Sequence, residues 1–375
     1  MIYSIKTFAL FVSASLFSSI LLAQIKKNGT PHGPGDDIYK HYKGTIGSRN
    51  VVLDLVYGFQ GSSNYGGSYY YFTDSLSTQI FYIQQPKSLD HKAALHADVL
   101  KENSSLDELR SGSTATTWEF RIADSILSGH INENGQTHKI QLKEDYTNSI
   151  AFSIDAFKKD TVLRKNEAKQ AKAEIIILGL KAQGTNETNL DFIHRELLKF
   201  LEEGKTSYKN IGTGYQAYIQ NWLKTSVEKL KTTGNDVKSI RKTVLLRPIY
   251  NDHKFIVFKK TVYGSDEDAI SFLLLDIKNK KKLDLKDILT VDNTKLQALL
   301  ETALRKKYHL ESGKKLSTWL TIEQMKVSNK IFLTHKGISF YYDPGDIHEN
   351  EIVLHLDFIQ LRPMLKKDMA SRMKE

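Results

Sequence analysis

Residues with the chemistry for metal binding or acid–base catalysis are few in this 375-residue chain, and they lie far apart. Asp346, His348 and Glu349 form the densest group, and carboxylates and imidazoles are common metal ligands. They lie in a predicted turn with no second histidine beside them, whereas zinc ligands usually come in closely spaced pairs. Asp252 and His253 stand between two predicted strands, which favours a hairpin tip. The sequence therefore predicts no metal site.

Motifs for nucleophilic catalysis do not occur in the sequence. The chain has no cysteine, and no Gly-x-Ser-x-Gly segment is found. A nucleophile needs a base within hydrogen-bond reach, usually oriented by a third group, and no such set of residues stands out. Paired carboxylates for glycoside hydrolysis would have to come from distant positions. We predict no catalytic residues, no cofactor and no enzymatic activity, and we keep a cryptic hydrolase of envelope polymers as the alternative.

One acidic segment contains candidate residues for binding a partner. Tyr342, Asp343, Asp346 and Glu349 follow an aromatic strand in a part of the chain that is otherwise basic. A local acidic patch is what a basic partner needs, because like-charged surfaces repel each other during encounter. The alternative interpretation of the same residues is a solvated loop.

The positive charge is concentrated in the second half of the chain. The net charge is +10, of which residues 1–170 carry +1 and residues 171–375 carry +9. A basic surface favours anionic partners, although solvated faces and loop tips are the more usual explanation of such charge runs. No nucleic-acid-binding motif accompanies the charge, so nucleic acid is not a predicted partner. Lysozyme is a doubtful partner, because lysozymes are commonly basic as well.

The first 23 residues are predicted to form a cleavable secretory signal peptide. Lys6 precedes an uncharged, largely apolar stretch at residues 7–23, and the small residue Ala23 precedes the expected cleavage site, although Leu21 is bulkier than preferred. The stretch is shorter than the roughly 20 residues of a spanning helix, which disfavours an uncleaved anchor. Without a cysteine at the cleavage site, a lipid anchor is excluded. We expect a periplasmic or secreted protein with no membrane span in its mature form.

Residues 24–38 are predicted to be a flexible leader, and residues 39–160 an antiparallel β-rich domain that forms a sheet, sandwich or small barrel. Glycine and proline are frequent in the leader, whereas short alternating or aromatic runs recur after it. Asn134 and Gly135 give a strong hairpin signal. The run of tyrosines at residues 69–71 fits either sheet core or a platform for stacking a sugar, and we favour core.

Residues 161–172 have little apolar content and are predicted to link this domain to a second one at residues 172–366. An apolar strand at 173–180 is followed by a helix capped by Asn189 and by a second helix at 215–231. Three strands, a helix capped by Asp292 or Asn293, a hairpin, a final strand and a basic helical tail come next. The sequence predicts an α+β fold overall, with helices packed on an antiparallel sheet in the second domain.

The second domain resembles a known family in four segments. Residues 275–288 match a pattern of Asp-Leu, Gly-Lys and Leu-x-Leu-x-Asp-Ile, and the hairpin at 331–342 matches Phe-x-Leu-Thr-x-x-Gly-Ile-x-Phe-x-Tyr. Residues 344–347 stand where Pro-Tyr-Glu-Ile is usual, and 353–361 match the closing strand. The resemblance covers about residues 172–365. It is to the extracytoplasmic domain of RsiV-type lysozyme-sensing anti-sigma factors and PdaC-type peptidoglycan deacetylases.

In that family the domain is not the catalytic part of the protein. The resemblance therefore implies an exported, non-catalytic envelope protein that binds a cell-wall glycan or an envelope protein. Gly264 to Asp268 replace a Gly-Gly-x-His-like turn of the family, so a ligand contact at that turn is not carried over. A purely structural or assembly module is a further alternative.

Overall fold

The computed structural model describes residues 38–59, 62–72, 79–82, 98–101, 116–133, 135–166, 169–202, 210–232, 239–264, 268–290, 292–311 and 313–373. The predicted signal peptide and almost all of the predicted leader lie outside these residues and stay predictions. In this part of the chain, no helix is both long and apolar enough to cross a membrane.

The N-terminal domain is an antiparallel sheet of eight strands within the described residues, as the alternating patterns predict. Its strand order is β4-β3-β2-β1-β8-β7-β6-β5, and β4 also contacts β5, so the sheet curls until its two ends meet. The strands are β1 (Ile38–Ile46), β2 (Arg49–Phe59), β3 (Ser62–Tyr71), β4 (Gln79–Tyr82), β5 (Asp98–Lys101), β6 (Thr116–Ala123), β7 (Ile126–Glu133) and β8 (Gln136–Glu144).

The period-two alternation of β1, β2 and β3 gives this sheet two buried faces. The inner face carries the domain's own core, in which Trp118 and Tyr42 are fully buried. The outer face of the same three strands carries His41, Asp54 and Tyr70, and it packs against the second domain. Successive side chains of a strand point to opposite faces, which explains why so polar a set lies beside an apolar core.

The second domain is built on a six-stranded sheet with the order β14-β13-β12-β11-β10-β9. Two helices cover one face, α1 (Glu187–Leu201) and α2 (Ile211–Thr232), and their apolar side chains share a core with that face. The strands are β9 (Ala151–Asn166), β10 (Lys169–Gln183), β11 (Ser239–Asn251), β12 (Phe255–Gly264), β13 (Ala269–Asp276) and β14 (Lys281–Leu283).

The other face of this sheet carries a smaller layer. A three-stranded sheet of β15 (Lys330–Leu333), β16 (Gly337–Tyr342) and β17 (Ile352–Asp357) packs here with α4 (Asn293–Lys307). The short helices α3 (Leu285–Ile288), α5 (Phe358–Leu361) and α6 (Lys367–Arg372), and a 3₁₀ turn at Leu316–Thr318, complete the domain. The predicted hairpin, closing strand and helical tail are confirmed.

The predicted α+β class is confirmed, but the sheet of the second domain is mixed rather than antiparallel. Strands β10 and β11 pair in parallel, from Lys172 opposite Ser239 to Leu178 opposite Leu245. The chain between them forms α1 and α2, and a parallel pair needs a crossover connection of this kind. The prediction was wrong because strand patterns do not show the direction in which neighbouring strands run.

The predicted linker at residues 161–172 is also wrong. Most of it belongs to β9 and β10, which pair antiparallel over nearly their whole length. Strand β9 is the edge strand of its sheet, so its outward side chains are polar or exposed, and Val162 is 48% exposed. The low apolar content of residues 161–172 is therefore explained by the edge position of β9 and does not mark a linker. The chain instead passes from one sheet to the other between Glu144 and Ala151.

Helix α1 begins earlier than predicted. Its N-cap is Asn186, whose side-chain oxygen accepts a hydrogen bond from the Asn189 backbone N–H at 2.9 Å. Asn189, the predicted cap, is therefore inside the first turn. The prediction for α4 is confirmed, because Asp292 accepts from the Lys295 backbone N–H.

Candidate ligand-binding site between the two domains

A cavity of about 570 Å³ lies where the two domains meet. The outer face of β1 to β3 forms one side of it, and the β11–β12 turn, the β15–β16 turn and α6 form the other. Domain interfaces are common places for small-molecule sites, and this volume is within their usual range. The cavity is therefore the candidate functional site.

A buried histidine–aspartate pair lies beside the cavity, and its histidine, His41, forms part of the cavity wall. His41 and Asp54 are directly opposite each other in the β1–β2 pairing, and the His41 Nδ1 is 2.7 Å from the Asp54 Oδ1. The two residues are only 1% and 2% exposed. A carboxylate only accepts hydrogen bonds, so Nδ1 carries the proton and Nε2 presents its lone pair when the ring is neutral.

The second ring nitrogen of His41 is open to the cavity. The ring packs against Tyr146 with centroids 6.1 Å apart, and His41 lines the cavity wall. No residue in the described part of the chain makes a hydrogen bond with Nε2. The Nε2 atom is therefore a polar group at the cavity wall that a ligand can engage.

Tyr39 and Asn251 hold this pair from both domains. The Tyr39 hydroxyl donates to Asp54, and the Asn251 Nδ2 donates to the Tyr39 oxygen at 2.8 Å. Asn251 also donates to the Ile150 carbonyl at 2.7 Å and accepts from the Ile150 N–H at 3.0 Å. Burial, and then the nearby Asp54 charge, raises the pKa of Tyr39 well above its usual value, so its hydroxyl stays a donor.

Aromatic rings form one wall of the cavity. His335, in the β15–β16 turn, stacks on Tyr70 with centroids 4.9 Å apart and planes 15° apart, and Phe72 meets the His335 ring edge-on at 5.1 Å. Phe72 is 45% exposed, so an apolar ring face remains open to a ligand. Burial, followed by the charge of Lys336, lowers the pKa of His335 and favours an uncharged ring.

Charged groups around the cavity are engaged by protein partners. Arg372 donates to both oxygens of the buried Asp276, at 2.5 and 2.7 Å, and its guanidinium lies 4.4 Å from the centre of the Phe255 ring. The Asp252 carboxylate accepts from the Tyr250 hydroxyl at 2.8 Å and from two backbone N–H groups of its own turn. These contacts engage both groups with protein partners.

The four predicted partner-binding residues lie elsewhere in the second domain and do not line this cavity. Tyr342 is 2% exposed, and its hydroxyl donates to the Lys326 carbonyl at 2.7 Å. Asp343 pairs with Lys330, and Asp346 accepts from the Asp343 N–H at 2.9 Å. Glu349 is exposed. Three of the four thus have a structural role, and their binding of a partner stays a prediction.

A serine–histidine–aspartate arrangement occurs between β16 and β17. The Ser339 hydroxyl is 3.1 Å from the His355 Nδ1, and the His355 Nε2 is 3.2 Å from Asp357. Ser339 is only 1% exposed, so its hydroxyl has no room for a substrate. Gly337 allows the ring to lie this close, since a Cβ there would be 2.7 Å from the His355 Cε1. We interpret the set as a cross-strand hydrogen-bonded ladder.

The His41–Asp54 pair and its partners were not predicted from the sequence. The one usable signal is Asp54, a charge in the middle of the apolar run Val51 to Val56. A buried carboxylate needs a partner, but His41 becomes its neighbour only through the register of β1 and β2. Within the described residues, no group of three metal-ligating side chains comes together.

No family profile and no curated protein matches this chain. Among solved structures, a DUF3298 family member from Bacteroides fragilis matches with a TM-score of 0.51 and 15% identity, over 61% of this chain and 99% of that one. This chain shares that fold. A DUF3298 protein from Pseudomonas aeruginosa gives a TM-score of 0.41 and 13% identity over 59% of this chain and 96% of that one. DUF3298 is a domain that accompanies PdaC-type and RsiV-type proteins, as the sequence resemblance suggests.

Proposed function

We propose that this chain is an exported, non-catalytic envelope protein that binds a cell-wall component or a protein partner in the cavity between its domains. The observation that carries the proposal is the cavity itself, with an open aromatic wall and an imidazole at its wall whose Nε2 makes no hydrogen bond with the described residues. Apolar walls with a few fixed polar groups are typical of binding sites.

The surroundings of His41 favour binding over acyl transfer. A catalytic serine, threonine or cysteine would lie within hydrogen-bond reach of the Nε2 atom, and no hydroxyl of the described residues makes that contact. The interface also supports a preformed site, because Val52 and Tyr70 of the first domain belong to a core of the second. A rigid site loses little free energy to ordering when it binds a ligand.

A pull-down experiment tests the proposal. The purified protein is incubated with insoluble peptidoglycan, with envelope extract and with lysozyme, and we expect retention by one of the first two. Phe72→Asp places a charge on the exposed ring position of the cavity and should abolish retention. Val162→Asp is the matched control, because Val162 is similarly exposed on the distant edge strand β9. Equal retention of both variants would refute the cavity as the site.

Export is tested separately. The predicted signal peptide should be removed after Ala23, so Edman sequencing of the protein from a periplasmic or culture fraction should begin at Gln24. A full-length protein confined to the cytoplasm would contradict this part of the proposal.

The His41–Asp54 pair favours one second candidate, a hydrolase of envelope polymers. An imidazole whose Nδ1 donates to a carboxylate can accept a proton from water through Nε2. Release of soluble fragments from peptidoglycan by the wild-type protein, and its loss in Asp54→Asn, would support this candidate over simple binding.

A further inference from the structure

We infer that the ligand of the cavity is an uncharged carbohydrate that donates a hydroxyl hydrogen bond to the His41 Nε2 and places a ring face on Phe72. This inference rests on the proposed binding function and names the class of ligand. Its two supports, the hydrogen-bonding state of His41 and the open aromatic surface, are independent features of the cavity.

The hydrogen bonds of His41 determine which kind of ligand group can bind to its Nε2 atom. Asp54 accepts a hydrogen bond from the His41 Nδ1–H, and the Tyr39 hydroxyl donates to the same carboxylate oxygen. These two contacts hold the Asp54 carboxylate and the His41 ring in place. When the ring is neutral, it offers only a lone pair at Nε2. A ligand must therefore bring a donor, which a sugar hydroxyl supplies and a carboxylate or phosphate oxygen does not.

The charges of the cavity also disfavour an anionic ligand. Arg372 is held by Asp276 with two hydrogen bonds, and the Lys43 ammonium lies 3.6 Å from Asp145. These two cations are thus paired with carboxylates of the protein, and a third cation of the wall, Lys254, donates to the Arg372 backbone carbonyl at 3.2 Å. A metal ion is disfavoured as well, because no group of three metal-ligating side chains comes together among the described residues.

The aromatic wall supplies the second contact. The CH groups on one face of a pyranose ring pack well on an aromatic ring, and Phe72 offers such a ring at 45% exposure. His335 supports Phe72 from the side and is itself held by its stack on Tyr70. The cavity volume of about 570 Å³ suits a ligand of about one or two sugar rings.

Titration calorimetry with a soluble N-acetylglucosamine tetramer tests the stacking contact. We expect Phe72→Ala to raise the dissociation constant about two- to tenfold, which corresponds to the loss of one aromatic contact. Val162→Ala should leave the constant unchanged. Both positions are exposed, so neither variant should affect folding, and a melting curve verifies this.

Nitrogen-15 NMR of histidine-labelled protein tests the hydrogen bond directly. We expect the free protein to show His41 protonated at Nδ1, and the Nε2 signal to move towards the hydrogen-bonded position when the tetramer is added. The His41→Gln spectrum assigns the signal. Exposed His130, on the outside of β7, should not respond.

The possible failures are distinguishable. Retention on peptidoglycan through its stem peptide, or retention of an envelope protein, with no binding of the tetramer would overturn the carbohydrate assignment and leave the proposed function intact. Tetramer binding without an Nε2 shift would overturn the role of His41. Retention of no envelope component would remove the proposed function itself.

Discussion

Arg372→Ala is the sharpest test of how the C-terminal helix is held at the cavity. The Arg372 side chain is 15% exposed and Asp276 is 2% exposed, and two hydrogen bonds join them. Removing one partner of a buried ion pair costs about 3–5 kcal/mol, because the remaining charge is left buried. Asp276 keeps hydrogen bonds from the Asn279 backbone and side chain, at 3.0 and 2.8 Å, so we expect a loss of about 3 kcal/mol.

The assay is thermal unfolding followed by circular dichroism. For a domain of this size about 1 kcal/mol corresponds to roughly 2–4 °C, so the melting temperature should fall by about 6–12 °C. Arg362→Ala is the matched control, because Arg362 is exposed at the end of α5 and should change the melting temperature very little.

A double variant identifies the cause of the loss. Asp276→Asn removes the charge that Arg372 neutralises, so Arg372→Ala combined with Asp276→Asn should be more stable than Arg372→Ala alone. A drop of less than 2 °C for Arg372→Ala, or a double variant as unstable as the sum of the two single variants, would refute the reasoning.

Three further predictions follow from buried polar groups. Burial raises the pKa of Asp276, but hydrogen bonds from Arg372 and Asn279 outweigh it and hold the pKa below its usual value. Ionised Asp276 therefore stabilises the folded protein above the unfolded-state pKa of about 3.9, and this stabilisation is lost as the pH falls below it. In acid unfolding curves the loss should be clear for the wild type and much smaller for Arg372→Ala. Burial lowers the pKa of Lys259 to about 8. Between about pH 8 and pH 10 the unfolded chain therefore binds more protons than the folded protein, so the melting temperature of the wild type should rise with pH across this range. The melting temperature of Lys259→Met should lack this rise. Asn251→Ala leaves two buried backbone groups of Ile150 unpaired and should cost about 2–3 kcal/mol. Unchanged hydrogen exchange at the Ile150 amide in that variant would contradict the last prediction.

Local patterns predicted the elements of this protein well. The predicted hairpin is present between β7 and β8, and Gly135 at its turn has a positive φ of 79°, which glycine adopts without strain. The Asp292 cap and the alternation of β17 are similarly local, since each depends on a few neighbouring residues.

Properties that depend on distant residues were not predicted. The parallel pairing of β10 and β11, and the edge position of β9, are set by which strands become neighbours. The candidate site has the same origin. His41 meets Asp54 only through the register of β1 and β2, and Asn251 reaches Tyr39, 212 positions away, only when the two sheets pack together. The acidic composition at residues 342–349 is a local feature, so it led us to predict a binding surface there and gave no sign of the cavity between the domains.

The pairing of β9 with β10 determines how this protein can be divided into fragments. A fragment that begins at residue 172, where the sequence predicts the second domain to start, lacks β9 entirely. It would leave β10 with a long row of unpaired backbone groups beside the apolar side chains of Ile175 and Ile177. Such an edge recruits strands from other molecules, so we expect that fragment to aggregate during expression. A fragment that begins near Asp145 retains β9 and should remain monodisperse.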